Sequence, residues 1–201
     1  MKAAKPIFHL LAGPNGAGKS TLYRALVSNG DIGKALEFVN ADLYEQRQLQ
    51  HIVDLQKRSE TARDWADDRR EALLKSKGSF VSETVFSHES KLALITHAQA
   101  AGYQVVLHIV SVDDPQRLLA RVSQRVREGG HNVPAQRILD RYPRTMANLK
   151  KAIRLADLTF VYDADDGERG AHLLVAMCEK ERTTQLVSQL PLWAAQMLQD
   201  A

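Results

Sequence analysis

Short apolar runs alternate with longer amphipathic stretches along this chain. The apolar runs are typical of buried strands, and the stretches between them carry apolar positions at helical spacing. Glycine, proline and asparagine stand at most of the junctions, where the chain is expected to turn. The pattern therefore predicts strands and helices in alternation, which is the signature of an α/β domain with a mainly parallel sheet.

Six segments are predicted to be strands, and the strongest is 103–112. The predicted strands are 7–12, 37–40, 79–82, 103–112, 158–162 and 171–177. The predicted helices are 19–27, 44–77 as one or two helices, 87–101, 116–128, 135–154 and 191–199. The carboxyl ends of parallel strands share one edge of a sheet, so we expect the loops at that edge to carry the functional site.

Length and composition narrow the class of protein. With 201 residues, of which 44% are hydrophobic and 25% charged, the chain is expected to form one globular domain, 1–201. The single cysteine, Cys178, excludes an intramolecular disulfide and is predicted to be a buried strand thiol. The apolar runs are too short for a membrane span or a signal peptide, so the expected location is cytoplasmic, with no membrane partner.

The segment GPNGAGKST, residues 13–21, follows the first predicted strand and leads into a helix. It contains the complete phosphate-loop pattern G-x-x-x-x-G-K-[ST], whose backbone N–H groups bind the phosphates of a nucleotide. We predict ATP and Mg²⁺ as cofactors, with Lys19 reaching the terminal phosphates and the Ser20 hydroxyl on the metal. The predicted nucleotide-binding residues are Gly13, Asn15, Gly16, Ala17, Gly18, Lys19, Ser20 and Thr21.

Such a loop serves both phosphotransfer and ATP-driven motors. Transporter ATPases carry a similar loop, but they also need a serine-glycine-glycine signature and a strand ending in aspartate-glutamate. Here Gly129 and Gly130 follow Arg127 and Glu128, and the strand 103–112 is followed by two aspartates. A small-molecule or polynucleotide kinase is therefore the better class.

A kinase needs an acceptor side across from the phosphate loop. Asp42 follows the second predicted strand and is predicted to orient or deprotonate the acceptor hydroxyl; the alternative is that it caps the next helix. Glu83 and Thr84 end the third strand at the same edge and are predicted to bind substrate. The alternative for Glu83 is a solvated loop carboxylate.

The basic surplus of the chain, 27 basic against 24 acidic residues, is concentrated in one region. Eight arginines lie between 117 and 154, on two predicted helices that flank Gly129 and Gly130. We interpret 116–150 as a lid whose arginines stabilise the transferred phosphoryl group. Catalytic roles are predicted for Arg125 and Arg127, and substrate-binding roles for Arg141, Arg144 and His131. The alternatives are a solvated basic face and a nucleic-acid grip, but aromatic residues for base stacking are not interleaved.

Six segments in order resemble the blocks of zeta-toxin-like kinases: GPNGAGKST, FVNAD, SETVFS, RVREGGHNVP, ILDRYPRTMANL and ADLTFVYDA. The resemblance extends over about residues 5–165 and implies a P-loop kinase-type three-layer sandwich with a helical lid. It also implies that Asp42 is the catalytic aspartate, Lys19 the phosphate-loop lysine and Glu83 an acidic substrate-binding residue.

The better-known members of that family phosphorylate a nucleotide sugar, UDP-N-acetylglucosamine, and are inhibited by a small helical antitoxin. The resemblance therefore implies a nucleotide-sugar substrate and an antitoxin partner. The function predicted from the sequence is an ATP-dependent kinase with an alcohol group as acceptor. Two other hypotheses stay open at this stage: a nucleic-acid-directed enzyme or binder that uses the basic lid, and a nucleotide switch without an acceptor.

Overall fold

Seven strands in one sheet form the centre of the structure, a computed structural model that describes residues 4–128, 133–164, 172–180 and 182–199. The strands are β1 (Ile7–Ala12), β2 (Glu37–Val39), β3 (Phe80–Thr84), β4 (Gln104–Ser111), β5 (Leu158–Asp163), β6 (Leu173–Glu179) and β7 (Arg182–Gln185). Their order in the sheet is β2-β3-β1-β4-β5-β6-β7. The first five are mutually parallel, whereas β6 and β7 are added antiparallel.

Helices pack on both faces of this sheet. They are α1 (Lys19–Asn29), α2 (Ala41–Gln48), α3 (Leu55–Ser76), α4 (Leu92–Ala100), α5 (Pro115–Arg127), α6 (Ala135–Leu155) and α7 (Leu192–Leu198), with a 3-10 turn at Glu89–Lys91 before α4. One buried cluster joins one face of the sheet to α1, α5 and the first turns of α6, and the other joins the opposite face to α3, α4, the later turns of α6 and α7. The arrangement is the predicted three-layer α/β sandwich.

The central strands place the candidate site. β1 lies between β3 and β4, and Leu11 is paired with Glu83 on one side and with His108 on the other. Since these strands are parallel, the loop after β1, the end of β3 and the segment after β2 meet at one edge of the sheet. The phosphate-loop motif and the predicted acceptor residues therefore lie at the same edge.

The structure decides one open prediction and corrects others. The region 44–77 forms two helices, the second of which begins after Asp54, whose carboxylate accepts a hydrogen bond from Lys57 N. The sixth strand runs from Leu173 to Glu179 and so extends two residues beyond the predicted end at 177, while the predicted first residue, 171, lies outside the described residues. Strand β7 was not predicted, because Arg182–Gln185 is a polar edge segment without an apolar run. The turn predicted at 165–167 lies outside the described residues.

The prediction for the single cysteine is confirmed. Cys178 is a buried free thiol on β6, and burial raises its pKa. Trp193 is buried on α7, and its Nε1 donates to Asp163 at 3.0 Å. Within the part of the chain that the structure describes, none of the helices combines the length and the apolar character that crossing a membrane requires.

Two histidines lie inside the sheet. His9 on β1 and His108 on β4 are buried, and their Nδ1 and Nε2 atoms are 3.2 Å apart, so one ring donates and the other accepts. The ring of His108 stacks on Phe160 and Tyr162 of β5. Burial lowers the pKa of His9 to about 4, and burial together with the charge of His9 lowers that of His108 to about 3. The folded protein thus keeps both rings neutral.

This pair predicts that stability falls in mild acid. Below about pH 6.5 the unfolded chain binds protons at both imidazoles, whereas the folded chain does not until about pH 4, so the free energy of unfolding decreases as pH falls through that range. Between pH 7.5 and 5, a His108→Phe variant should lose about 2 kcal/mol less of its free energy of unfolding than the wild type, measured by urea denaturation.

The matched control is His51→Gln, because His51 is exposed. It should show the wild-type loss between the two pH values. An equal loss in the wild type and in His108→Phe would mean that the buried pair does not cause the acid sensitivity.

Candidate functional site

The phosphate-loop motif forms a tight loop between β1 and α1. Gly16 and Gly18 have φ values of 82° and 92°, which favour glycine. A Cβ atom added to Gly16 would lie 2.5 Å from the carbonyl oxygen of Leu118 on α5, and one on Gly18 would lie 2.8 Å from Nε2 of His172. The loop is thus closely surrounded by α5 and by the start of β6, and both glycines are required sterically.

Helix α1 begins directly at Lys19 and has no side-chain cap at its N-terminus. The first N–H groups of a helix lack intrahelical partners, and the helix dipole places partial positive charge there. A loop whose backbone curls ahead of such a terminus is a phosphate-binding arrangement. The geometry predicted from the motif is therefore present.

Lys19 is buried beneath this loop. Its Nζ donates to the carbonyl oxygens of Gly13 and Pro14, both at 3.1 Å, and lies 3.7 Å from a carboxylate oxygen of Glu83. Burial lowers the pKa of the ammonium group, the charges of Glu83 and Asp42 oppose that shift, and the charge of Arg125 adds to it. The side chain is therefore surrounded by the acidic groups predicted on the acceptor side.

The carboxylate of Glu83 connects the donor and acceptor sides. Its Oε2 accepts hydrogen bonds from Ser20 Oγ and from Asn40 Nδ2, both at 2.8 Å. Ser20 lies in the first turn of α1, Glu83 near the end of β3, and Asn40 directly after β2, so three neighbouring segments meet at one carboxylate. Only 11% of the Glu83 side chain is exposed, which excludes the solvated-loop alternative for this residue.

Asn40 and Asp42 have distinct roles at the start of α2. The side chain of Asn40 accepts from Leu43 N at 3.0 Å and is the N-cap of the helix, while Asp42 lies in its first turn. The alternative that Asp42 caps this helix is therefore wrong. The negative charge of Asp42 acts to raise the pKa values of both Lys19 and Arg141, so it is felt on the donor side and on α6.

Two of the predicted lid arginines lie near this centre. Arg125 on α5 lowers the pKa of Lys19 through its charge. The pKa of Arg141 on α6 is lowered by burial and by Arg137, Arg144 and Arg63, and raised by Asp42. The two helices thus bring one guanidinium group toward the phosphate loop and another toward Asp42.

The remaining lid residues differ in position. Arg127 is exposed and lines the groove between α5 and α6, and Arg144 is exposed, with its Nε donating to the Asp140 carbonyl of its own helix. Arg121 donates to the Ala164 carbonyl at 2.6 Å, so it has a structural partner next to β5. Three predicted lid residues lie outside the described residues: the glycines between the two lid helices, Gly129 and Gly130, and the substrate-binding candidate His131.

The site fits the two cofactors predicted from the sequence. A polyphosphate would be held by the loop N–H groups, by the uncapped start of α1 and by the Lys19 ammonium. The hydroxyl of Ser20 and the carboxylate of Glu83 offer the hard oxygen ligands that Mg²⁺ prefers. Thr21 is at the start of the same helix, where its Oγ1 accepts from Arg24 at 3.3 Å.

Two residues of the site were not predicted. Asn40 stands in the quoted FVNAD block, but its link to Glu83 depends on β2 lying beside β3, which the hydrophobic pattern does not reveal. His172 lies against Gly18; burial and the charge of Arg121 lower the pKa of its ring, and the backbone of Gly18 and Ala17 opposes that shift. It comes from the antiparallel β5–β6 connection, more than 150 residues after the loop, and the sequence carries no signal of that contact.

The fold and the site define a P-loop protein of the kinase type. The sequence matches the model of the zeta toxin family over residues 1–169, and the chain therefore belongs to this family. The resemblance noted in the sequence is confirmed. Among curated proteins, none matches this sequence.

Solved structures show the same fold at low sequence identity. A chain of the AvrRxo1-ORF1:-ORF2 complex with ATP superposes with a TM-score of 0.68 at 18% identity, over 92% of this chain and 61% of that chain. A chain of the PezAT chromosomal toxin-antitoxin system of Streptococcus pneumoniae gives 0.64 at 16% identity, over 100% and 85%. A chain of the Pnkp1/Rnl/Hen1 RNA repair complex gives 0.59 at 19%, over 75% and 47%.

The two functions of Asn40 can be separated by substitution. Asn40→Ala removes both the helix cap and the amide that binds Glu83, whereas Asn40→Ser keeps a capping oxygen and loses only the link to Glu83. The Ala variant should have a free energy of unfolding about 1 kcal/mol below that of the Ser variant in urea denaturation. Equal midpoints for the two variants would show that the cap of α2 contributes no stability.

Proposed function

We propose that this protein is an ATP- and magnesium-dependent kinase that transfers the terminal phosphate of ATP to a hydroxyl group of a nucleotide sugar such as UDP-N-acetylglucosamine. The observation that carries the proposal is that Ser20 and Asn40 both donate to the Glu83 carboxylate, which lies 3.7 Å from Lys19. The charge of Asp42 also acts on Lys19. P-loop hydrolases also place one acidic residue beside the P-loop serine. The second carboxylate, Asp42, whose charge acts on Lys19, is the feature that favours transfer to an acceptor.

On the donor side, the loop before α1 would bind the phosphates through backbone N–H groups. Lys19 would exchange its two carbonyl partners for phosphate oxygens, and the hydroxyl of Ser20 would turn from Glu83 to the metal ion. The metal, when bound, supplies positive charge that neutralises the phosphates. Holding the phosphates in this way leaves the terminal phosphorus facing the ends of β2 and β3.

On the acceptor side, Asp42 would orient the hydroxyl group and accept its proton. The acceptor oxygen forms a bond to the terminal phosphorus as the bond from phosphorus to the bridging oxygen breaks, so that ADP leaves and the phosphate ester remains. Glu83, fixed by Asn40, would hold a second polar group of the acceptor or a metal-bound water. Thr84, at the end of the same strand, would assist in binding.

Two arginines complete the arrangement. Negative charge spreads over the equatorial oxygens during phosphoryl transfer, and guanidinium groups placed there stabilise it. Arg125 is suited to this role because its charge reaches Lys19, and Arg141 because its charge reaches Asp42. Of the predicted lid residues, Arg127 and Arg144 are proposed to act only when the substrate draws the two helices together, since both are exposed here.

Family membership also supports a regulatory partner. One structural neighbour comes from a toxin-antitoxin system, and others come from a complex of two open reading frame products. We propose that a small helical antitoxin binds this chain and that both act in the cytoplasm. Growth arrest on expression, relieved by Lys19→Ala, would support the toxin role.

The reaction is tested by incubating the protein with ATP, Mg²⁺ and a panel of acceptors, followed by mass spectrometry. The expected product is a nucleotide sugar heavier by one phosphate, formed together with ADP. The panel includes an RNA oligonucleotide with a free 5′ hydroxyl, because that acceptor distinguishes a polynucleotide kinase from a nucleotide-sugar kinase. Rapid ADP formation without any phosphorylated acceptor would exclude the proposed kinase activity.

Asp42→Asn tests the acceptor side separately. The amide keeps the size of the side chain but cannot accept the proton, so transfer should fall at least about a hundredfold while ATP affinity, measured calorimetrically, changes little. The matched control is Glu179→Gln, which removes an exposed carboxylate at the opposite edge of the sheet and should transfer at the wild-type rate. Unchanged transfer by Asp42→Asn would remove Asp42 from the mechanism.

A further inference from the structure

The backbone immediately after the acceptor strand β3 is strained. Phe86 has a φ of 63°, in the left-handed region that aromatic residues rarely adopt. Its side chain is fully buried, so the conformation is not that of a loose surface turn. Strain of this kind persists only where the surrounding structure holds it, and it occurs preferentially at functional sites. Phe86 stands three residues after Glu83.

Two hydrogen bonds hold Phe86 in this conformation. Asn148 on α6 donates from Nδ2 to the carbonyl oxygen of Phe86 at 3.0 Å, and the N–H of Phe86 donates to Thr84 Oγ1 at 3.3 Å. Asn148 is itself buried, at 7% exposure. Removing its amide would leave a buried carbonyl oxygen without a donor, which is costly. The Asn148 bond is therefore a strong local restraint on the turn.

The restraint joins the acceptor strand to a lid helix. Positions 141, 145 and 148 recur at the spacing of one helical face, and Arg141 on that face interacts electrostatically with Asp42. A single face of α6 thus contacts the turn after Glu83 through Asn148 and carries Arg141, whose pKa is raised by the charge of Asp42. A shift of α6 would move both the turn and the guanidinium group together.

We propose that Asn148 is a positioning residue that acts through Phe86: it fixes the turn at 84–86, and with it the direction of the Glu83 carboxylate, relative to the lid helix α6. The proposal rests on the proposed kinase function and deepens it, because it names the contact that fixes the position of the Glu83 carboxylate relative to Arg141 on the lid helix. Asn148 has no contact with ATP in this proposal. Its loss should therefore affect the acceptor and leave nucleotide binding unchanged.

Asn148→Ala is the direct test, with Asn148→Asp as a second variant that keeps the side-chain volume but loses the amide donor. Lys151→Ala is the matched control. Lys151 lies on the same helix and pairs with Glu89 at 2.6 Å, so it also joins α6 to the chain after β3, but through exposed side chains. Steady-state transfer, calorimetric ATP affinity and thermal unfolding are measured for all three variants.

For both Asn148 variants, kcat/KM for the acceptor should fall about tenfold while ATP affinity stays within about twofold of the wild-type value. Lys151→Ala should leave all three measurements unchanged. If Asn148→Ala lowers only the unfolding temperature, and the folded enzyme keeps the wild-type kcat and acceptor KM, Asn148 is merely structural and the proposal is overturned.

Hydrogen exchange separates this proposal from the proposed function. Amide exchange in 83–87 should become about tenfold faster in Asn148→Ala than in Lys151→Ala, whether or not an acceptor has been identified. A wild-type protein that forms no phosphorylated product would sink the kinase function alone. Unchanged exchange in 83–87 would overturn the positioning role, whatever the kinetics show.

Discussion

The carboxylate of Glu83 is the group on which the geometry of the candidate site depends. Ser20 Oγ and Asn40 Nδ2 both donate to the same oxygen, and the ammonium group of Lys19 lies within 4 Å of the carboxylate. A largely buried carboxylate needs such donors, because an uncompensated charge inside a protein is very costly. The hydrogen bonds to Glu83 connect three segments at the edge of the sheet. The same hydrogen bonds fix the orientation of the Glu83 carboxylate. The phosphate loop and the acceptor strands are thereby connected before any ligand arrives.

The order of the strands makes this connection possible. β1 and β2 are not neighbours, since β3 lies between them, and the glutamate on β3 can therefore reach both α1 on one side and the start of α2 on the other. At the turn after β3, Asn148 from α6 holds Phe86 in a strained backbone conformation. The acceptor side is thus fixed from two directions, by the neighbouring strand and by the helix that packs across it. In the proposed function, an acceptor side fixed in this way would lower the reorganisation that transfer requires.

Much of this arrangement follows from the sequence. The phosphate loop, Asp42 and Glu83 were predicted because each follows an apolar run, and parallel strands bring such positions to one edge. Asn40 was missed because its role depends on which strands are adjacent, and strand order is not contained in hydrophobic periodicity. The same limit applies to His172, which reaches Gly18 from an antiparallel hairpin. Among the lid arginines, spacing predicted two stripes but not their orientation. Leu118 and Val122 pack into the core and so rotate α5 until Arg125 approaches Lys19 and Arg127 faces solvent.

The charges of the site couple nucleotide binding to the protonation of Lys19. Burial lowers the pKa of Lys19, and Glu83 and Asp42 counteract this with negative charge. Polyphosphate binding adds further negative charge next to the ammonium group, so the bound state favours the charged lysine more strongly than the empty site does. Once phosphates neutralise Lys19, however, the two carboxylates lose part of the cation that compensates them. In the proposed function, a magnesium ion held by Ser20, together with Arg125 and Arg141, would restore that balance. The acidic acceptor side and the basic lid are therefore two parts of one electrostatic requirement: a site that orients a hydroxyl group with carboxylates beside a triphosphate must supply enough cations for both.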